Sequence, residues 1–456
     1  MGTTVTAHTQ HAAIEAAVER AADTRAIVSG AGAIAATGEI FASQFGRRPA
    51  TLVADEITAA LALDRIGEQL RSAGIALTDP LIFPARPLLA PVVEHAHTIA
   101  GELENTLAVP VAIGSGTIND LVKYGAALSD RSYLVVATAA SMDGYAASGA
   151  ALIADGFKQT FPCPAPRAVI ADLDLIRTAP PAMTASGYAD LIGKITAGAD
   201  WIVADALGID PIQSDIWEMV QPPVRSLLDQ AAAVRTHEPA ALETLLNGLL
   251  LTGLAMQATG SSRPASGSEH QFSHFWEMQG LSVDGVPVSH GFKVGLGTLA
   301  VTALYERLLE MTSDDLAAAQ ELHWPKFGAV QRTIERMSDD PRVVERAILE
   351  SRAKYPANAV RIERIARLRD VWPDLAGRLR AQLVPAEQLR ALLHGAGCAT
   401  TPEEIGVSRK RLKATYAAAR HIRRRYTVLD LLTELGRFDQ FVDDLFKTGG
   451  FWATTR

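Results

Sequence analysis

The sequence predicts an α/β domain built on a parallel sheet, followed by a mainly helical domain. From Arg25 to about Asp174 short apolar runs alternate with helical stretches, the pattern of parallel strands joined by crossover helices. From Pro180 to the C-terminus that pattern fades and apolar residues recur at the helical period instead. Size points the same way, because 456 residues exceed the length at which a single core stops growing. The expected boundary is Thr178-Ala179-Pro180-Pro181, where paired prolines break both helix and ladder, giving domains 1–179 and 180–456.

The expected strands are Ala26-Ile27-Val28, Thr51 to Ala54, Val109 to Ile113, Tyr133 to Ala137 and Ala168 to Ala171. Each is followed closely by Gly, Asp, Ser or Thr, and ligands of open α/β sheets bind beyond the carboxyl ends of strands. Amphipathic periods predict helices over Ser186 to Ala206, Glu238 to Gln257, Phe292 to Met311 and Val343 to Arg367. The loop Thr259 to Pro264 should end the apolar helix before it. The most apolar stretch, Leu242 to Ala258, is interrupted by Asn247 and glycines and is shorter than a span usually needs, so it reads as a buried helix and no membrane span is expected. Met1 to Glu19 has no basic flank followed by an apolar core and does not read as a signal peptide.

A formal net charge of -8 argues against nucleic acid as a partner, while leaving room for a local basic pocket. The run Arg409-Lys410-Arg411-Leu412-Lys413, with Arg420, Arg423, Arg424 and Arg425 after it, reads as the charged face of an amphipathic helix. Cys163 and Cys398 are too few for a disulfide framework or a thiolate metal site, which suits a reducing, cytoplasmic setting.

The chemistry concentrates in a few segments. His270 and His274 are four residues apart and so share a helix face, and His290 follows in Val288-Ser289-His290-Gly291. Upstream, Asp190 offers a carboxylate. Two imidazoles and one carboxylate with a position left open form a catalytic divalent-metal site rather than a closed structural one. Lys194, four residues after Asp190, is expected on the same helix face, where it would pair with the carboxylate, bind a substrate phosphate or simply be solvated. At the exit of the third expected strand, Gly114-Ser115-Gly116-Thr117-Ile118-Asn119-Asp120 places small residues where backbone amides can approach a pyrophosphate, although such glycines are also ordinary turn formers. A second exit, Thr138-Ala139-Ala140-Ser141-Met142-Asp143, offers hydroxyls and a carboxylate, or a helix cap by Ser141 or Asp143. Asp55 is placed to meet an adenosine ribose, or to cap the helix after its strand.

Together these segments, with Ala171-Asp172-Leu173, Gly187 to Lys194, Pro264 to His270 and His290-Gly291, resemble the sn-glycerol-1-phosphate dehydrogenases, most closely the bacterial branch associated with arabinose operons, within the iron-containing alcohol dehydrogenase and dehydroquinate synthase superfamily. The resemblance spans about residues 25 to 300, with a weaker echo in Thr401 to Gly406 and Ile422 to Leu432. It implies a Rossmann-like nicotinamide-cofactor domain, an all-helical metal- and substrate-binding domain and an active site in the cleft between them. By motif match Asp190, His270 and His290 are implied as metal ligands, with Asp190 also touching substrate. Asp143 and His274 match substrate-binding positions, and Gly114 to Asp120 with Thr138 to Ser141 match cofactor-binding ones. Ala147 departs from a serine that relatives place against the cofactor, with Ser148 adjacent, and the segment after about Arg336 is longer than in compact relatives.

The expected reaction is reversible reduction of dihydroxyacetone phosphate to sn-glycerol 1-phosphate by NAD(P)H, with one divalent metal (Zn, Ni or Fe) as Lewis acid. His274 is expected to position a hydroxyl or relay a proton. The partner is a small phosphorylated substrate, and a homo-oligomer is expected. The rival readings are a polyol dehydrogenase or dehydroquinate synthase of the same architecture, and a catalytically silent nucleotide-binding relative.

Overall fold

Six parallel strands make the principal sheet of the computed structural model, which describes residues 7–453. The strands are β1 (Ala26–Gly30), β2 (Ala50–Asp55), β3 (Leu81–Phe83), β4 (Val109–Gly114), β5 (Leu134–Ala137) and, after the hairpin β6 (Ala150–Ala154) and β7 (Phe157–Phe161), β8 (Ala168–Asp172). The order across the sheet is β1-β8-β5-β4-β2-β3. β4, β5 and β8 are buried along their whole length, which is why they read as unbroken apolar runs rather than as alternation. Leu52, Val111, Ile113, Leu134, Val136 and Ile170 pack with Phe41, Ile66 and Leu70 to form the core on one face.

All five expected strands are present and parallel. From β2 the chain moves outward to β3, whereas from β4 it moves the other way through β5 to β8, so the order reverses between β2 and β4. Such a reversal opens a crevice beyond the strand ends, and Asp55 and Gly114 stand on its two sides.

By Cα proximity the chain forms two units. One runs to Leu191 and also takes Glu218–Ala265 and Gly395–Gly397; the other holds Ile192–Trp217, Ser266–His394 and the chain from Cys398 on. The division therefore falls at Ile192 rather than at Pro180, and the chain returns to the first unit for the long apolar helix. The paired prolines start a helix, with Pro181 as the first residue of Pro181–Ile192, where its missing N–H costs nothing. Of the stretch Met1 to Glu19, residues 1–6 lie outside the described residues.

The apolar helix is Pro239–Thr259, ended by Gly260 in the left-handed region at φ 59°. It is long and apolar enough by composition to cross a membrane, but it is mostly buried within the protein. Its polar residues are satisfied there: Asn247 Oδ1 accepts from Ser29 Oγ at 3.1 Å, and Gln257 Oε1 accepts from the Asp23 and Thr24 amides.

In the second unit the helices Ser268–Met278 and His290–Leu309 pack together, and Asn358–Gln382 packs on Lys194–Ala206. Two expected helices are each divided. Ser186 to Ala206 is interrupted only at Gly193, whose backbone stays in the right-handed helical region at φ -53° and ψ -26°, so Asp190 lies near the end of one helix and Lys194 opens the next. Val343 to Arg367 breaks at Tyr355-Pro356-Ala357, because proline forces the preceding residue into extended backbone; Tyr355 has φ -71° and ψ 116°.

Candidate metal and cofactor sites

The start of the Ser268–Met278 helix is fixed by buried carboxylates rather than by its own cap. Asp200 Oδ2 accepts from the Ser268 amide and hydroxyl, both at 2.6 Å, and Asp200 Oδ1 accepts from the Tyr305 hydroxyl at 2.7 Å and the Val428 amide at 2.8 Å. Burial and the nearby Glu269 charge push the Asp200 carboxyl up to about 6, against these donors. Gly267 is required at the turn, since a Cβ there would stand 2.6 Å from Asp200 Oδ2.

That helix brings His270 and His274 together, and the start of the next helix adds His290. Ring centroids lie 5.3 Å apart for His270 and His290, and 6.0 Å apart for His270 and His274. The hydrogen bonds separate the three chemically. His270 Nδ1 lies 2.8 Å from Glu269 Oε1, and His290 Nδ1 lies 2.9 Å from Glu277 Oε1. With Nδ1 donating to a carboxylate, Nε2 of each ring carries the lone pair, the tautomer a metal ligand needs. His274 instead has both nitrogens engaged: Nδ1 is 3.5 Å from Glu277 Oε2, and Nε2 accepts from Arg423 Nη2 at 3.3 Å. Burial and the Arg423 charge hold its imidazole down to about 3, so it is neutral at physiological pH.

Two carboxylates thus anchor the cluster. Glu269 is fully buried, which alone would raise its carboxyl, but the hydrogen bond and charge of His270 and the Gly267 amide hold it below the usual range. Glu277 also receives Lys293 Nζ at 3.1 Å. Sequence reasoning missed both, although the signal was present in Ser268-Glu269-His270 and in the i, i+3 spacing of His274 and Glu277. Asp200 and Arg423 had no such signal, being far from the histidines in sequence.

In the first unit the strand exits assemble the cofactor candidates. Ser115 precedes the helix Gly116–Leu128 in extended backbone, and its side chain makes no capping bond. The first-turn amides of Gly116, Thr117 and Ile118 have no intrahelical acceptor by geometry, which suits an anion. Asn119 and Asp120 have tasks within the fold. Asn119 Oδ1 accepts from the Tyr133 hydroxyl at 2.9 Å, and Asp120 Oδ2 accepts from the Ala151 amide at 3.2 Å. The buried Lys123 donates to the Gly144 and Gly149 carbonyls at 3.0 and 3.1 Å, tying this helix to the second exit.

At that second exit Thr138, Ala139, Ala140 and Ser141 are buried. Neither Ser141 nor Asp143 is the cap. Met142 Sδ accepts from the Gly144 amide at 2.8 Å, and Asp143 lies inside the short turn Asp143–Ala146. The Asp143 amide donates to Asp190 Oδ2 at 3.0 Å. Gly187 lets the helix that carries Asp190 press onto this exit, because a Cβ there would meet the Ala140 carbonyl oxygen at 2.0 Å. Asp55 takes the capping role weighed for it, accepting from the Thr58 amide at 2.8 Å. Ala147 is buried and the neighbouring Ser148 is exposed. Lys194 is fully buried, which removes the solvated reading.

The basic run is only partly a helix face. Arg409–Ala419 is helical, with Lys413 paired to Asp443 at 2.9 Å, but the helix stops before Arg420. Beyond it Arg423 meets His274, Arg424 pairs with Glu350 at 3.0 Å and Arg425 donates to the Ser266 carbonyl.

A family model described as iron-containing alcohol dehydrogenase matches residues 28–180. A protein of Bacillus licheniformis named glycerol-1-phosphate dehydrogenase (NAD(P)+) is 32% identical over 311 residues, covering 67% of this chain and 74% of its own length. One of the same name from Halalkalibacterium halodurans is 34% identical over 258 residues, covering 56% of this chain; there the chain spans less than two thirds, 64%, of the relative. In fold, the crystal structure of glycerol dehydrogenase from Schizosaccharomyces pombe superposes with a TM-score of 0.59 at 14% identity, covering 92% of this chain and 90% of that one.

Proposed function

Because this chain belongs to the glycerol-1-phosphate dehydrogenase family, we propose that it is an NAD(P)-dependent oxidoreductase that reversibly reduces dihydroxyacetone phosphate to sn-glycerol 1-phosphate. The observation that carries this reading is the pair of histidines whose Nδ1 atoms are each held by a buried carboxylate. The donor set suits a divalent metal: with Nδ1 on a carboxylate, His270 and His290 each offer the Nε2 lone pair, and Asp190 is proposed as the third ligand, each residue offering one ligand atom. Zn, Ni and Fe all suit two imidazoles and a carboxylate. Bound there, the metal supplies Lewis-acid polarisation of a ketone oxygen and the reduced nicotinamide supplies the hydride.

The protein's own residues orient and enclose. The first-turn amides from Gly116 to Ile118 are proposed to receive the cofactor pyrophosphate, with Gly114, Ser115, Asn119 and Asp120 shaping that turn and Thr138 to Ser141 lining the neighbouring strand end. Asp55 is proposed to meet the adenosine ribose with the part of its carboxylate that its cap leaves free. Asp143 is proposed to bind a substrate hydroxyl, and the neutral His274 another, the hydroxyl taking the place of Arg423 at Nε2. With its imidazole pushed so low, His274 acts as a fixed hydrogen-bonding group rather than as a proton donor at neutral pH. We place the enzyme in the cytoplasm, as a homo-oligomer.

Lys194 is proposed to hold the substrate phosphate. A lost charge-assisted contact costs about 1.5–3 kcal/mol, so Lys194→Ala is expected to lower kcat/KM for dihydroxyacetone phosphate by roughly one to two orders of magnitude, and that for unphosphorylated dihydroxyacetone much less. Equal losses on both substrates would remove Lys194 from the phosphate site. A wild-type preference for dihydroxyacetone would overturn the phosphate assignment and favour a polyol dehydrogenase.

A further inference from the structure

The second unit contains a cavity, lined largely by the chain beyond Arg336, that includes none of the three clustered histidines. Its volume is about 100 Å³, whereas a water needs roughly 10–15 Å³ by the same measure, so it has room for a small organic molecule in place of several waters. The walls are mainly carbon. Trp324 stacks on Tyr355 with centroids 4.8 Å apart and 15° between the planes, and Pro325, Val330 and Pro356 also line the space.

The few polar groups are unequally satisfied. Lys354 Nζ is 2.8 Å from Asp430, and Glu434 pairs with Arg364 through Oε1 while its buried Oε2 has no hydrogen-bond partner among the described residues. His421 accepts from Arg420 at Nε2 and lies 2.7 Å from Ser351 Oγ at Nδ1, which makes it a neutral ring. Arg420 is different. It spends Nε on His421 at 3.0 Å and Nη1 on Thr433 Oγ1 at 2.6 Å, and among the described residues no carboxylate pairs with it. Asp430 and Asp439 act on this guanidinium only from beyond ion-pair distance and Phe438 lies against it at 5.3 Å, so a further anion in direct contact would offset the cost of its burial.

We propose that this cavity binds a small organic monoanion, its apolar body against the Trp324, Tyr355 and Val330 wall and its carboxylate on Nη2 of Arg420. Benzoate is a suitable probe, with benzyl alcohol as its uncharged counterpart and inorganic phosphate as the anion without an apolar body. Titration calorimetry on the full chain is expected to show benzoate binding at one site, at least tenfold more tightly than either comparison compound. Val330→Trp fills the cavity from a half-exposed helix position and is expected to weaken benzoate binding at least tenfold in a protein that still unfolds cooperatively. Arg420→Gln is expected to bring benzoate down to the affinity of benzyl alcohol. Absence of benzoate binding, equal affinity for benzyl alcohol or for phosphate, or unchanged affinity in folded Val330→Trp would each overturn the proposal.

Discussion

Glu277 receives two imidazoles and an ammonium on one carboxylate, His290 at 2.9 Å, His274 at 3.5 Å and Lys293 at 3.1 Å. It therefore sets the ring orientation and tautomer of His290 and His274 at once, and carboxylates in that position typically tune metal affinity by 10–100-fold. Glu277→Gln is expected to lower divalent-metal affinity by roughly that factor, read by competition with a chromogenic chelator; unchanged affinity would make the residue merely structural. A second residue-scale expectation concerns Cys163, whose thiol donates to the Phe161 carbonyl and is pushed up to about 11 by burial, with Lys123 only partly offsetting this. The thiolate is the reactive form and grows as pH rises, so alkylation by iodoacetamide at pH 8 is expected to run at least tenfold slower than for an unperturbed cysteine and to climb toward pH 11. Rapid labelling of the folded protein at pH 8 would contradict it. The histidines were legible because their helical spacing is local. The carboxylates beside them were legible only in principle, and Asp200 was not, because its partners are assembled by tertiary folding across Ser268, Tyr305 and Val428.

Among the elements, the buried strands β2, β4, β5 and β8 and the half-buried edge strand β1 were legible because each is an apolar run closed by a polar or glycine exit. β3 has only three residues at the sheet edge and carries no periodic signal. The β6–β7 hairpin did carry one: Asp155-Gly156 joins the strands, with φ 51° and 74° as a tight hairpin turn requires. Helix breaks at Gly193 and Pro356 were overrun because the apolar period continues through both. The turn before the histidine helix is the element most sensitive to a single methyl. Gly267→Ala places carbon 2.6 Å from Asp200 Oδ2 and 2.8 Å from Glu269 Oε2. It is expected to cost about 1–3 kcal/mol of stability by denaturant titration. A variant as stable as the wild type would show that the Asp200 network does not fix this turn.

At the scale of the whole molecule, the succession of sheet and helices was legible because strand and helix periods differ along the chain. The division into units was not, because Glu218–Ala265 returns to the first unit and nothing in its composition marks that return. The basic stretch was misread for a related reason. Its helical spacing continues past Arg420, while the backbone leaves the helix and distributes Arg420 to a cavity, Arg423 to His274 and Arg424 to Glu350. The decisive measurement for a metal-dependent phosphate-ketone reductase is the initial rate of NADH or NADPH oxidation with dihydroxyacetone phosphate before chelation, after it and after metal is restored. Turnover to sn-glycerol 1-phosphate, loss of that rate in the verified metal-free protein and recovery with Zn, Ni or Fe are the expected result. Full activity in the metal-free protein, or no turnover by the metal-loaded one, would contradict it.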